Sequence, residues 1–311
     1  MRIGRRGFLI TSGAAAVLSR LAWAAEQKLP IAFSTLGCPG WEWKKILDFA
    51  QANGFAAIEL RGIMGNLDLP SVAEFAPGRI AQSKKEVAEH GLKISDLGAS
   101  SQMHIVEAAE REKQLADARR FIDLAQALEV PYVRVFGNEL KGPREEVIAR
   151  VAEGLHQLGE YALPKGVTVL IESHGDFVES PLLGDVLTRA NSKGVALLWD
   201  AHHTFVDGHE QPEQTVAALG SWIRHTHLKD SVPDGKGRKY VLTGRGDVPV
   251  ERQVQALRKY QHNGHLGYEG YYCFEWEKMW HPEIQEPEVA FPDYARVMTG
   301  YLKEPLKGAL G

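Results

Sequence analysis

The chain has 311 residues, 44% of them hydrophobic, with 36 basic and 40 acidic side chains and a formal charge of −4. That length and apolar share support a large core, and the acidic balance, which repels phosphate backbones, argues against a nucleic-acid partner. Cys38 and Cys273 are the only cysteines, too few for a disulfide scaffold, and they are expected as free or buried thiols.

Residues 1–24 carry Arg2, Arg5 and Arg6, an apolar stretch from Phe8 to Leu18, and Ala22-Trp23-Ala24 as a small-x-small cleavage signature. This is the layout of an export signal. Arg5-Arg6 followed by Gly7-Phe8-Leu9, with Arg20 near the cleavage point, is similar to the twin-arginine type. The apolar run is shorter than the roughly 20 residues of a membrane span. The expected mature protein is therefore residues 25–311, periplasmic or otherwise exported and without stable membrane association. Loss of four arginines and no acidic residue moves its formal charge from −4 to −8.

From there the chain alternates short strand-like runs with longer helical ones. A strand at Ile31 to Ser34 is followed by a helix from Glu42 to Ala52, which stops at Asn53-Gly54. Strands at Ala57 to Leu60 and Ile94 to Gly98 flank a helix near Ile80 to His90. A long helix from Glu110 to Leu128 follows, with Leu115, Ala118, Ile122 and Ala125 at helical spacing. The fourth strand, Tyr132 to Phe136, leads to a helix with Pro143 in its first turn. Strands five to eight are Val167 to Glu172, Val195 to Asp200, Ile223 to Lys229 and Tyr271 to Glu275. Helices are expected near Pro181 to Asn191, Pro212 to Leu219, Val250 to Asn263 and Tyr294 to Leu302. Eight such units make an α/β chain forming a single (β/α)₈ TIM barrel.

The last four strands each end in a candidate ligand: Glu172, Asp200, His227 and Glu275. A doubly wound open sheet shares the alternation but would spread these strand ends in a row, whereas barrel closure turns them toward one axis. No glycine-rich phosphate fingerprint follows the first strand. With side chains alternating along a strand, Leu170 and Thr168 lie beneath Glu172, Leu198 and Ala196 beneath Asp200, and Cys273 beneath Glu275. Three carboxylates over such a floor require a cation. Three carboxylates and one imidazole suit a single divalent metal ion with open positions, Mn²⁺ first, with Mg²⁺, Co²⁺, Zn²⁺ and Fe²⁺ left open.

The ordered set GFAAIELRG (54–62), IESHG (171–175), DAHH (200–203), HTHLKD (225–230), GRGDVPV (244–250) and FEWEK (274–278) resembles the sugar phosphate isomerase/epimerase superfamily. These are the xylose isomerase-like TIM barrels, which include ketose 3-epimerases, inosose dehydratases and apurinic-site endonucleases. The resemblance implies that Glu172, Asp200, His227 and Glu275 are the metal ligands. Glu172 and Glu275 would also exchange protons with the carbon beside a substrate carbonyl, and His203 would contact the substrate. His174 and Lys229 are further candidates for substrate binding, and His225, one layer deeper, is read as structural. A metal holding a ketone oxygen and a neighbouring hydroxyl favours an enediolate, the step shared by epimerisation, isomerisation and β-elimination.

The expected function is thus a metal-dependent carbohydrate isomerase or epimerase acting on a small-molecule carbohydrate. A lyase acting on a keto-sugar or 3-keto-glycoside is the alternative, and a non-catalytic exported sugar-binding barrel is the alternative of another class. A homo-oligomer stays open. Pro233 lies where the ketose epimerases resemble one another in having arginine, and residues 230–247 lack the histidine of the endonucleases' Asp-x-His pair. Glu59 and Arg61 are expected to pair internally, and His104 and Asn138 are weaker site candidates. Trp276, Trp280, His281 and Phe291 are either a sugar platform or a packed cover. Gly244-Arg245-Gly246 is expected to make a turn rather than hold a phosphate.

Overall fold

The computed structural model describes residues 28–235, 237–262 and 265–304, so the export signal read in residues 1–24 lies outside the described residues. Eight parallel strands close on themselves: β1 (Ile31–Ser34), β2 (Ala57–Leu60), β3 (Lys93–Gln102), β4 (Tyr132–Asn138), β5 (Thr168–Gly175), β6 (Val195–Asp200), β7 (Ile223–Leu228) and β8 (Tyr272–Phe274). Closure runs through β8, which pairs with β1 at Tyr272 and Ile31 and with β7 at Cys273 and His227. Around them lie α1 (Trp43–Ala52), α2 (Ile80–Glu89), α3 (Ala108–Leu128), α4 (Arg144–Ala162), α5 (Ser180–Ala190), α6 (Ala201–Val206), α7 (Pro212–Leu219), α8 (Val250–Lys259) and α9 (Pro287–Lys303). None of the described helices is long and apolar enough to cross a membrane.

Alternation along the strands sorts the apolar side chains into two environments. Val169, Ile171, Leu197 and Trp199 join helix residues such as Leu155, Leu183 and Val186 in the large core between barrel and helices. Their sequence neighbours Leu170, Ala196 and Leu198 form a small cluster of their own, and Ala32, Ala57 and Cys273 form another. These fill the barrel beneath β5, β6 and β8, as the alternation predicts. The expectation of a mostly apolar floor does not extend to the other strands. Glu59 on β2, Asp96 on β3, Arg134 on β4 and His225 on β7 are all buried, so charged and polar side chains share the barrel interior with the apolar ones.

Helix ends depart from the sequence reading for local reasons. Pro143 is the cap residue of α4 rather than part of its first turn, and α9 starts at Pro287, where proline occupies the first turn and costs no helical hydrogen bond. The chain after α8 turns into a two-residue strand at Gln261–His262, which ends that helix at Lys259. Two elements had no periodic signal. One is the short α6; the other is an antiparallel hairpin, Asp230–Asp234 against Gly237–Val241, standing over the mouth beyond β7.

That hairpin is anchored by Asp230. Its carboxylate accepts the backbone N–H groups of Ser231 (2.8 Å), Gly244 (2.9 Å), Gly246 (2.8 Å) and Val248 (3.2 Å). The amides of Gly244 and Gly246 thus serve an internal carboxylate. A β-carbon at Gly246 would stand 2.1 Å from Asp230 Oδ1, so only glycine lets the loop come this close. Asp230→Asn, which turns an amide N–H₂ toward these donors, is expected to lower stability by about 1.5–3 kcal/mol; chemical denaturation of the two proteins measures it.

Candidate metal centre and active site

Barrel closure brings the four predicted ligands together. Glu172, Asp200, His227 and Glu275 each offer one donor atom, and these atoms all lie within 4.8 Å of one another. The four residues are 0–5% exposed. His227 stands at the middle: its Nδ1 is 3.0 Å from Glu172 Oε1, 3.1 Å from Glu275 Oε1 and 3.9 Å from Asp200 Oδ2. Burial disfavours charge on this ring, but Glu275, Glu59 and Glu172 outweigh it and raise its pKa well above the ordinary histidine value. Three buried carboxylates and an imidazole, converging from four consecutive strand ends, fit one hard divalent ion.

Each ligand is fixed by its own element. Asp200 ends β6 and caps α6: Oδ1 accepts the N–H groups of His202 (2.9 Å) and His203 (3.1 Å), which leaves Oδ2 facing the cluster. Its backbone is locked to β5 through Ser173, whose hydroxyl accepts Asp200 N–H at 2.8 Å and donates to Asp200 O at 3.1 Å. Glu172 is backed by Arg134, whose Nε lies 3.0 Å from Oε2, out of line for a hydrogen bond. Burial opposes its charge, yet Arg134 and then His227 bring the Glu172 carboxyl down to about 2. Arg134 itself lies over the Phe136 ring of its own strand, 4.0 Å from its centroid, and donates to Ala99 O on the adjacent β3 at 2.8 Å.

Lys229 is buried inside the cluster. Its ammonium lies 2.6 Å from Asp200 Oδ2 and 2.9 Å from Glu277 Oε1, and it also contacts Glu275 Oε2. Burial works against this charge, but Asp200, Glu275 and Glu277 prevail and raise its pKa well above the ordinary lysine value. Glu277, absent from the sequence reading, reaches the site because it lies two residues beyond Glu275 on the same side of the chain.

His203 and His174 stand at the outer rim, their ring centroids 5.0 Å apart. His203 donates from Nδ1 to Asp207 at 2.8 Å, and its Nε2 is 3.7 Å from Asp200 Oδ2, so it connects the ligand cluster to an exposed carboxylate. Both rings line a cavity of about 650 Å³ together with Leu140, Arg144, Asp176 and Asp207.

Other candidates separate cleanly. Glu59 does not pair with Arg61: its Oε2 accepts from His225 Nε2 (2.9 Å) and His227 Nε2 (2.7 Å), while Arg61 reaches past the strand end to Gly98 O (3.3 Å) and Ser100 Oγ (2.9 Å). The sequence placed Glu59 and Arg61 on one face but could not show that β7 histidines would come closer. Asn138 adopts a left-handed turn, φ 72°, and its carbonyl accepts Asp176 N–H at 2.8 Å, a structural task. His104 is 3.7 Å from Glu139 and is not among the converging donors. Trp276 and Phe291 are fully buried core, Trp280 is 53% exposed, and His281 packs on Tyr240 of the hairpin at 5.0 Å. Cys38 and Cys273 are free and buried.

Comparison with known proteins agrees with this architecture. A family model described as the xylose isomerase-like TIM barrel matches residues 47–296. An inosose dehydratase of Clostridium botulinum is 26% identical over 296 residues, covering 86% of this chain and 95% of that protein. The crystal structure of the IOLI protein with a binding zinc atom superposes with a TM-score of 0.72 at 18% identity, over 89% of this chain and 100% of that one. A xylose isomerase-like TIM barrel protein from Mycobacterium smegmatis in complex with magnesium gives 0.63 at 20% identity, over 88% and 95%. The match over most of the barrel places this chain in the xylose isomerase-like TIM barrel family.

Proposed function

We propose that this chain is a divalent-metal-dependent enzyme that removes a proton from the carbon beside the carbonyl of a sugar or cyclic polyol ketone and completes the reaction as a lyase, by β-elimination. The observation that carries the reading is a buried ammonium, Lys229, seated among the converging donors Asp200 and Glu275. One divalent ion held by Glu172, Asp200, His227 and Glu275, Mn²⁺ by the hardness of the donors, supplies a Lewis acid for the charge that develops on the carbonyl oxygen. Glu172 and Glu275 both contact His227 Nδ1, so they border the same point from two strands, and either can accept the proton. Breaking the C–H bond leaves an electron pair that forms the carbon–carbon double bond as the neighbouring C–O bond breaks. Lys229, held by three carboxylates, donates the proton with which the hydroxyl leaves as water. An epimerase returns the proton to carbon and has no such leaving group to protonate.

The named activity of the Clostridium relative, inosose dehydratase, supports this ending. So does Pro233 at the position where the resemblance calls for an epimerase arginine. His203 and His174, on the 650 Å³ cavity, are assigned to the substrate's hydroxyls. The test incubates the metal-loaded protein with keto-sugars and keto-polyols in deuterium oxide. Solvent deuterium at the α-carbon of recovered substrate, together with absorbance of the enone or its diketone tautomer, is expected. Exchange without enone identifies an epimerase or isomerase, and neither signal at full metal occupancy overturns the proposal.

We propose further that the enzyme is exported. The support is Arg5-Arg6 ahead of the apolar stretch Phe8 to Leu18. Replacing both Arg5 and Arg6 by lysine is expected to retain the unprocessed chain in the cytoplasm. Fractionation of a carboxyl-terminally tagged protein reads the result, and an unaltered distribution counts against twin-arginine export.

A further inference from the structure

We infer that Glu59 is a positioning residue of the metal centre: by accepting the Nε2 proton of His227 it presents the ring's Nδ1 to Glu172, Asp200 and Glu275. The inference rests on the metal-centre reading above. Glu59 stands on β2, which the barrel order separates from β7 by β1 and β8, so the contact spans the interior. The carboxylate is 1% exposed. Its Oε2 lies 2.7 Å from His227 Nε2 and 2.9 Å from His225 Nε2.

An imidazole can serve as a ligand only through a nitrogen that carries no proton, and its two tautomers are nearly equal in energy until a neighbour chooses between them. A carboxylate has no proton to give. Next to Glu59, His227 therefore keeps its hydrogen on Nε2, and Nδ1, the nitrogen 3.0 Å from Glu172 and 3.1 Å from Glu275, is the one whose proton an ion held by those carboxylates would displace. Rotating the ring by half a turn would put a carbon there and lose the Glu59 bond. His225 sets the other side of the same oxygen, so Glu59 cannot drift away from the barrel axis. Cys273 Sγ stands 3.9 Å from that oxygen, placed as a thiol donor to it. Glu59, His225, His227 and Cys273 have donor atoms close enough for a second ion. Two N–H groups already fill Glu59 Oε2, while Oε1 has no hydrogen-bond partner among the described residues, and through Oε2 the group is a hydrogen-bonded support for the centre above it.

The experiment measures zinc affinity of the full chain, stripped of metal, by competition with a chromophoric chelator. Wild type is expected to bind one ion, and Glu59→Gln to bind it about 10–100-fold more weakly. His225→Gln removes the other partner of the same carboxylate but keeps the Glu59 acceptor for His227, and is expected to lower thermal stability while weakening zinc binding far less than Glu59→Gln does. Equal affinity in wild type and Glu59→Gln, or equal weakening by both variants, overturns the inference and leaves the metal centre standing. Absence of zinc binding by wild type removes the metal centre and this inference with it. If Glu59→Gln does not fold, nitrogen-15 spectra of histidine-labelled, zinc-loaded wild type decide. His227 is expected to carry its proton on Nε2, and a proton on Nδ1 overturns the assignment.

Discussion

Replacing Glu275 by glutamine is expected to reduce turnover by about 10²–10⁴-fold, the range for loss of a positioned acid or base. Glu172→Gln is expected to fall in the same range. Both carboxylates address the one nitrogen of His227 that faces the centre, so each change removes a negative charge from the ligand set and a proton acceptor from the same point. The two variants are distinguished by what else each carboxylate holds. Glu275 also binds Lys229, so its loss removes one of the three carboxylates that hold the ammonium proposed to assist the leaving group, whereas Glu172 is backed by Arg134. Exchange of the α-proton with solvent should therefore fall in both variants, and the ratio of elimination to exchange should fall further in Glu275→Gln. Full retention of ligand binding with no turnover to lose in wild type would instead identify a sugar-binding barrel without chemistry.

The second large effect is on stability. Lys229→Met, studied in chelator-treated protein, is expected to lose about 3–5 kcal/mol, the cost of removing one partner from a buried ionic group. Asp200, Glu275 and Glu277 would be left facing one another with no ammonium among them. The folded-state pKa of Lys229 is raised above its unfolded value. Its contribution is therefore complete at neutral pH and is lost only as pH rises beyond the ordinary lysine range, about 10.4. Urea titration at pH 7 with and without added divalent metal provides the measurement. The added ion should narrow the gap between variant and wild type, since it restores positive charge beside the same carboxylates. An unchanged midpoint in the metal-free variant would show that Lys229 does not compensate this cluster.

Much of the barrel is legible in the sequence because strands buried on both faces carry short apolar runs, and β1, β2 and β6 lie where those runs place them. The four converging donors are legible for the same reason: a polar residue that ends an apolar run has few places to go except the carboxyl-terminal face. Arg134 and Asp96 were not legible. Each sits inside a strand run, where one charged residue carries no mark of whether it points to the axis or to solvent. Glu59 was visible but misassigned, because its partners, His225 and His227, are more than 160 positions away and meet it only after the barrel closes. The hairpin after β7 has no periodic signal. The side chain that ties it down, Asp230, works through backbone amides that a sequence does not distinguish from any others.

Asp200 spends one oxygen on its own helix and keeps the other for the centre. A side chain restrained in this way has already given up its rotational freedom when the chain folds. Little ordering entropy is then left to lose when a cation or a substrate arrives, and affinity at this corner is set by enthalpy and by solvent release. Lengthening the arm to glutamate would keep the charge and return that freedom, so the penalty for Asp200→Glu should appear in the entropy of binding.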